Sequence, residues 1–273
     1  LLPYFIPFGV SLAVAGVLRL LAGPETGSRL AGLGVLIGFV VAWQWLLLAP
    51  WFPYDTLDRV IHIAIGGMIF GLILDFLVIN RSWTLAAIFA YAIGSVWAAI
   101  TGALVGPPPD DAGGWLRAGL YVVIWLAFIQ RLTKLRVEGP SAVVILFLLA
   151  LGAGLVGQMS GLGSAAATAY CMAAALFGYL VLAWILALPV GNLAILVGAG
   201  GVMGIIMSLA EPESGVSLIA IAFLGFVPFA DGTARRLPLG GYAIKPILYP
   251  LALMAIGILP LLVATILAYV LVG

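Results

Sequence analysis

The segment SAVVILFLLALGAGLVGQM, residues 141–159, holds no charged side chain from one end to the other. A helix needs about 20 mostly apolar residues to cross the hydrocarbon core of a bilayer, and this segment supplies them on every face. Its apolar residues do not alternate with polar ones, as the strands of a membrane β-barrel would. The segment therefore predicts a transmembrane α-helix.

The rest of the chain has the same character. Of its 273 residues, 65% are hydrophobic and 8% are charged, whereas charged residues make up about 25% of an ordinary soluble domain. A soluble globule of this size needs far more polar surface to cover its core, so the composition excludes a soluble enzyme, a nucleic-acid-binding protein and a disordered chain. We expect an all-α, polytopic bundle of transmembrane helices that forms a single domain over residues 1–273.

Ten apolar segments are separated by short connections rich in glycine and proline, such as the one at Gly23-Pro24. The ninth segment is short. The tenth contains Pro250 and Pro260, which predicts a kink or an interfacial start. The predicted segments are 3–22, 30–49, 59–79, 83–105, 115–132, 141–159, 164–187, 192–209, 215–230 and 246–272.

The distribution of charge predicts how these segments are oriented. If the N-terminus lies outside and each segment crosses once, nine of the 11 lysines and arginines fall in inner connections, and only Arg59 and Arg117 fall outside. Six of the 10 acidic residues fall on the outer side. This asymmetry follows the positive-inside rule, so we predict ten spans with both termini outside. The preference for arginine over lysine favours a prokaryotic cytoplasmic membrane.

Two pairs of segments suggest an internal repeat. Residues 38–46 resemble residues 178–186, and the glycine-rich stretch 66–71 resembles 200–204. Five helices per half would give two halves of opposite orientation, 1–136 and 137–273, which is the inverted repeat common in carriers. The alternative, that any two spans rich in Ala, Gly, Leu and Val look alike, stays open at this point.

Polar residues at the outer start of the third segment form the richest cluster. Asp55, Asp58 and His62 would lie on one face of a helix. They could bind a cation or relay a proton through His62. Alternatively, Asp55 or Asp58 caps the helix N-terminus and His62 is an interfacial core residue. The chain has one histidine and one cysteine, Cys171, so we expect neither a metal site nor a cofactor.

Asp75 lies deeper in the same segment, where an ionised carboxylate needs a partner or water. It is a candidate for binding an ion or substrate, and its structural alternative is an ion pair with Arg81 or another inner arginine. Glu211, near the end of the eighth segment, is a further candidate of the same kind.

The connection between the ninth and tenth segments carries the third candidate site. Arg235, Arg236 and Lys245 could hold a phosphate or an anionic lipid headgroup. They could equally be ordinary positive-inside anchors. The glycines nearby do not have the spacing of a P-loop.

Three functions are compatible with these features. The sequence favours a small secondary transporter that moves a small solute or lipid-like molecule with proton or cation coupling. The alternatives are a non-catalytic subunit or scaffold of a larger membrane complex, and a membrane-embedded enzyme acting on a lipid or isoprenoid phosphate. The expected partners are membrane lipids, other membrane subunits or a second copy of the chain, and not nucleic acid. We predict no catalytic residues.

Overall fold

The computed structural model describes residues 2–49, 57–77, 80–101, 109, 112–136, 139–211, 214–237 and 245–272. All regular secondary structure within these ranges is helical. Eight of the helices are long and apolar enough to cross a membrane. The predicted class, a polytopic all-α bundle consistent with an integral membrane protein, is therefore confirmed.

Twelve α-helices lie within the described residues, and their ends fall close to the predicted segment boundaries. In chain order they are α1 (Phe5–Leu21), α2 (Thr26–Leu30), α3 (Leu33–Trp45), α4 (Val60–Phe76), α5 (Arg81–Thr101), α6 (Ala112–Arg136), α7 (Ser141–Met159), α8 (Gly163–Ile185), α9 (Asn192–Leu209), α10 (Leu218–Leu224), α11 (Ala230–Ala234) and α12 (Lys245–Val272).

The structure refines four of the predicted segments. The first and ninth correspond to the two shorter apolar helices, Phe5–Leu21 and Leu218–Ala234, which are not among the eight long ones. The second is divided into α2 and α3. The tenth is one continuous helix that contains both Pro250 and Pro260, so it has no separate interfacial start within the described residues.

Burial is very unequal among the helices. In the most apolar stretch of α9, 89% of the residues are buried, against 17% in α6 and 28% in α12. Leu116 and Leu120 of α6 are 77% and 56% exposed. Because lipid tails are as apolar as leucine, such side chains need no protein partner in a bilayer. We therefore interpret α9 as the centre of the bundle and α6 and α12 as its lipid-facing edge.

The remaining helices are arranged around α9. Helix α9 packs against α4 and α7 and, less extensively, against α8, α3, α6 and α5. Helix α1 fills the space between α3 and α8, and α12 covers α7 together with α10. Helices of the N-terminal and C-terminal halves are thus interleaved, because α1 packs on α8 and α4 packs on α9.

The contact between α4 and α9 is made through glycines. A Cβ atom at Gly67 would lie 2.3 Å from the carbonyl oxygen of Leu196, and one at Gly71 would lie 2.5 Å from Cα of Leu193. No real side chain tolerates such distances to backbone. The absence of Cβ atoms therefore lets the two backbones approach closely, as small residues do between membrane helices.

A matching contact is made by a glycine of α9 against the backbone of α4, with a constant shift in residue number. A Cβ at Gly200 would lie 3.0 Å from the carbonyl oxygen of Ile63, whereas Gly67 faces Leu196. Each member of the first contact differs from its counterpart in the second by 133 positions. The two helices run antiparallel, so their crossing has local two-fold symmetry.

The hydroxyl group of Tyr91, in α5, lies at the centre of this crossing. Its oxygen is 2.9 Å from the carbonyl oxygen of Ile63 and 3.1 Å from that of Leu196. Those two carbonyls are themselves 133 positions apart. Cβ atoms at Gly67 and Gly200 would lie 2.8 Å and 2.0 Å from the same hydroxyl oxygen. The glycines therefore make room both for the opposing backbone and for this buried donor.

We predict that Gly67→Ala and Gly71→Ala each lower the free energy of unfolding by about 1–3 kcal/mol, because the added methyl group must push two backbones apart. Gly94→Ala in α5 is the control, since its Cβ would meet nothing within 4 Å and alanine favours a helix by up to about 1 kcal/mol. Denaturant unfolding in detergent measures all three variants. Equal stability of Gly71→Ala and Gly94→Ala would contradict the close crossing.

Candidate functional site

Asp75 lies in the last turn of α4 and bonds to the first turn of α9. Its Oδ1 accepts hydrogen bonds from the backbone N–H and the side-chain Nδ2 of Asn192, at 2.9 Å and 2.8 Å. Its Oδ2 accepts the backbone N–H of Leu193 at 2.9 Å. The residue before the helix, Gly191, supplies no side-chain cap. Asp75 therefore performs the capping function from another helix, where a negative charge also interacts favourably with the helix dipole.

Gly191 is required for this approach. A Cβ atom on it would lie 2.7 Å from Oδ2 of Asp75 and 3.4 Å from Cα of Arg29. The turn chemistry at Pro189–Gly191, visible in the sequence, thus does more than end α8. It provides the space in which a carboxylate from α4 reaches the backbone of α9.

Arg29, in α2, completes the contact from the opposite side. Its Nη1 donates to the backbone carbonyl of Asp75 at 2.8 Å, while its Nη2 donates to Oε1 of Glu25 at 2.9 Å. The guanidinium carbon also lies 6.0 Å from the ring centroid of Phe76. Since cations stabilise the C-terminal end of a helix, Arg29 holds the end of α4 while Asp75 holds the start of α9.

These side chains border a cavity of about 650 Å³. Its walls come from the end of α4, the α1–α3 connection, Gly139 and the α8–α9 connection, 187–191. The volume lies within the range of small-molecule sites, roughly 300–1,000 Å³. The wall combines one cation, Arg29, with two carboxylates, Glu25 and Asp75, so a polar ligand would find both donors and acceptors there.

The cavity wall contains a strained residue. Ala187 has φ = 48°, a left-handed conformation that is costly for any residue with a Cβ. It closes the end of α8, where the N–H of Leu188 bonds to the carbonyl of Ala183 at 2.9 Å in the pattern that usually employs glycine. Leu48 has φ = 49° just beyond α3, so two non-glycine residues end helices in this way.

A second, apolar cavity of about 610 Å³ lies beside the same end of α4. It is bounded by Ile73 and Leu77 of α4 and by Trp83 and Ala87 of α5, with Asn80 between the helices. Trp83 is 70% exposed. The inner end of α4 thus has a polar cavity on one side and an apolar one on another.

The predicted outer cluster is only partly brought together. Asp55 lies outside the described residues. Asp58 occupies the single 3₁₀ turn before α4 and is half-buried, and the N-cap residue of α4, Arg59, makes no side-chain capping bond. His62 is half-buried in α4, and its Nδ1 is buried without a hydrogen-bond partner among the described residues. Arg59 donates to the carbonyl oxygen of Ala99 in α5.

The structure places Glu211 just after the end of α9, at the end opposite to Asn192. It is half-buried, and its backbone carbonyl accepts the hydroxyl of Ser214 at 2.7 Å. Because Asp75 is at the other end of the α4–α9 pair, these two carboxylates do not form one site.

The basic candidates near the end of α11 surround a buried carboxylate. Asp231 is 1% exposed and accepts a hydrogen bond from Nη2 of Arg131, while Nη2 of Arg235 lies 3.2 Å from its Oδ2. Arg236 is exposed beside them. Lys245 begins α12, and its side chain lies outside the described residues.

Three residues of these contacts were not predicted from the sequence. Position 192 was predicted only as the start of the eighth segment and Arg29 was counted only among the inner basic residues, although Asn192 at a predicted helix start next to Gly191 is a position where a cap is needed. Tyr91 is a polar group in the middle of a predicted span, which is a detectable signal.

Within the described part of the chain, no group of three or more His, Cys, Asp or Glu residues could hold a metal ion.

We expect Asp75→Ala to lower the free energy of unfolding by about 1–3 kcal/mol, because two backbone N–H groups and the Asn192 amide lose a charged acceptor. Asp75→Asn, which keeps one acceptor oxygen, should lose less. Thermal unfolding in detergent gives the order. If Asp75→Ala were as stable as the wild type, the carboxylate would not be holding α9.

Ala187→Gly should raise the free energy of unfolding by about 0.5–1 kcal/mol, since glycine adopts the left-handed conformation without strain. The matched control is Ala174→Gly, in the middle of α8, where the same change should cost about 1 kcal/mol. Changes in the free energy of unfolding that have opposite signs for the two substitutions, measured by denaturant unfolding, would verify the strain at Ala187. A loss of stability in both would contradict it.

Comparison of the sequence with models of protein families and with curated proteins gives no match. The function of the site is therefore inferred from the contacts of this chain alone.

Proposed function

We propose that the protein is a small secondary transporter that moves a small solute or lipid-like molecule in exchange for, or together with, a proton. The observation that carries this proposal is the symmetric crossing of α4 and α9. At one end of the crossing, beside a cavity, Asp75 of α4 accepts hydrogen bonds from the start of α9. The two helices come from different halves of the chain. Movement of one half against the other is the general mechanism of carriers built from inverted repeats.

The constant shift of 133 residues supports an inverted repeat centred on this crossing. Gly67 and Gly71 of α4 correspond to Gly200 and Gly204 of α9 under that shift. The two left-handed residues after α3 and α8, Leu48 and Ala187, are separated by a similar interval. On this basis we retain ten spans in two halves of five, with the end of the bundle that contains Asp75 facing the cytoplasm.

Asp75 is the group to which we assign the coupling. As a carboxylate it accepts three hydrogen bonds from α9. A proton on this carboxyl group would remove its charge and occupy one of its acceptor sites, which would weaken the hold of α4 on α9. Proton binding and separation of the two helices are thereby linked, because each favours the other.

The position that corresponds to Asp75 at the other end of the crossing makes a different bond. The residue of α9 that corresponds to Asp75 is Ser208, and its hydroxyl donates within its own helix to Ile205 at 2.8 Å. A carrier needs such a difference, since a proton-sensitive contact at one end changes access from that end alone. Asp58, His62 and Glu211, near the other end, are the groups we assign to the outer entrance.

The two cavities indicate the class of substrate. The polar cavity holds a cation and two carboxylates, while the neighbouring cavity is lined by Ile73, Leu77 and Trp83. An amphipathic molecule, with a charged or zwitterionic head and an apolar body, has chemistry that matches both.

A cysteine-labelling experiment tests the coupling without knowledge of the substrate. Val190 is 5% exposed and borders the cavity, so a Val190→Cys reporter in a Cys171→Ala background should react slowly with a hydrophilic maleimide at pH 7.5. We expect labelling to be about tenfold faster when Asp75→Asn is added, because the neutral side chain imitates protonation. Ser208→Ala, the corresponding position without an interhelical bond, should leave the rate unchanged.

Transport itself is measured in proteoliposomes with an internal pH-sensitive dye. Amphipathic organic cations, anions and zwitterions are added one at a time, and we expect proton movement with at least one of them in wild-type protein and none in Asp75→Asn. Proton movement that is equal in Asp75→Asn would contradict the assigned role. A reporter at position 190 that is insensitive to Asp75→Asn would exclude the linkage between the carboxylate and helix separation.

The alternative of a non-catalytic membrane subunit is favoured by one observation, the nearly complete burial of α9. A rigidly packed centre suits a scaffold as well as a carrier. The proteoliposome experiment separates the two functions, because a scaffold moves no protons when an amphipathic solute is added, whereas loss of the Asp75 bonds would expose position 190 in either case.

A further inference from the structure

We propose that the surface around Asp231 is a binding site for the headgroup of an anionic phospholipid. The site consists of Arg131 and Lys134 of α6 and Arg235 and Arg236 at the end of α11, and we call it the basic cluster. This site is separate from the Asp75 cavity, and the proposal does not depend on transport.

The basic cluster brings several positive charges together. Arg131, Lys134, Arg235 and Arg236 carry one each, and the buried carboxylate of Asp231 contacts Arg131 and Arg235. Lys134 and Arg236 are exposed, and Lys134 is three residues from Arg131 on α6, so both lie on the same side of that helix.

Asp231 holds the two inner arginines in place. Its Oδ1 accepts Nη2 of Arg131, and its Oδ2 lies 3.3 Å from Nε and 3.2 Å from Nη2 of Arg235. Nε of Arg131 donates to the carbonyl oxygen of Pro228 at 3.3 Å. A guanidinium carries five N–H donors, and the bonds of Arg131 to Asp231 and Pro228 use its Nη2 and Nε. The Arg131 and Arg235 side chains remain 30% and 49% exposed.

This arrangement matches the chemistry of a phosphodiester. Guanidinium groups bind phosphate oxygens through paired, charge-assisted hydrogen bonds. Arginines that are already fixed by a buried carboxylate lose less conformational entropy when they bind a ligand. The buried Asp231 therefore orients the donors and reduces the electrostatic repulsion between the cations.

The surroundings indicate a lipid rather than a free phosphate. The guanidinium of Arg131 lies 5.8 Å from the ring centroid of Phe229, and that ring is 63% exposed. Phe226, one helical turn earlier, is 58% exposed. Exposed apolar rings next to cations match a phospholipid, whose charged headgroup lies beside its acyl chains. A free phosphate would leave these rings uncovered, whereas a phospholipid would cover them.

The position of the cluster gives the bound lipid a structural effect. Arg131 belongs to the N-terminal half of the chain, and Asp231 and Arg235 belong to the C-terminal half. Arg131 of α6 is bonded to the Asp231 carboxylate and to the Pro228 carbonyl. A headgroup that bridges α6 and α11 would add a further contact between these elements. Binding to the folded state alone must raise the unfolding temperature.

The test measures the unfolding temperature of the delipidated full chain in a neutral detergent. The additions are dioleoyl-phosphatidylglycerol, dioleoyl-phosphatidylcholine and glycerol phosphate. We expect phosphatidylglycerol to raise the unfolding temperature by several degrees, and the shift to decrease as salt is increased, because exposed charges are screened. Phosphatidylcholine and glycerol phosphate should give less than a third of that shift.

Lys134→Gln with Arg236→Gln removes two exposed cations without touching Asp231. We expect this double variant to fold as the wild type does and to bind phosphatidylglycerol at least tenfold more weakly, as measured by native mass spectrometry. The control is Arg117→Gln, an exposed cation on α6 that lies 17 residues before Lys134, about 26 Å away along the helix. Arg117→Gln should keep wild-type binding.

Three outcomes would overturn the proposal. An equal shift with glycerol phosphate would show that the ligand is a free phosphate ester. An equal shift with phosphatidylcholine would show that the negative charge of the lipid is not recognised. Wild-type affinity in the double variant, or an equal loss in Arg117→Gln, would show that binding does not depend on the basic cluster.

Discussion

The crossing of α4 and α9 determines how the rest of the bundle can pack. The hydroxyl of Tyr91 lies between two helical carbonyls, and it fits there because Gly67 and Gly200 have no side chains. A hydroxyl group that is buried without a partner costs about 1–3 kcal/mol. Helix α5 is therefore held against the α4–α9 pair by a polar contact, and α9 can be enclosed by helices on all sides.

This dependence on glycine follows from the bilayer as a solvent. Lipid tails and leucine side chains are equally apolar, so helices gain little from hiding leucine against one another. What favours association is close packing and the few hydrogen bonds that close packing permits. The centre of this protein is accordingly rich in glycine, with Gly67, Gly71, Gly200 and Gly204 at one crossing. Its edge exposes large apolar side chains, such as those of α6.

Two carboxylates connect the halves of the chain, and they do so by different chemistry. Asp75 accepts neutral N–H and amide donors at the start of a helix, where the helix dipole favours a carboxylate. Asp231 is bonded by two guanidinium groups. The first contact therefore relies on neutral backbone and amide donors, and the second relies on charged donors.

The amino-acid sequence by itself determined the class of the protein and the approximate ends of its helices. Each segment must be apolar enough for hydrocarbon regardless of its neighbours, so the information is local, and the boundaries of α7 and α9 agree with those predicted. Asp75 and the basic residues near Arg235 also stood out, because charges near hydrocarbon are rare. Only the tertiary structure decided their partners. Asp75 bonds to Asn192 and Leu193, more than 100 positions away, and Arg131 bonds to Asp231 at a similar separation. These contacts depend on which helices become neighbours, and in a membrane that choice is made by the shapes of complementary small-residue surfaces, which no single segment contains.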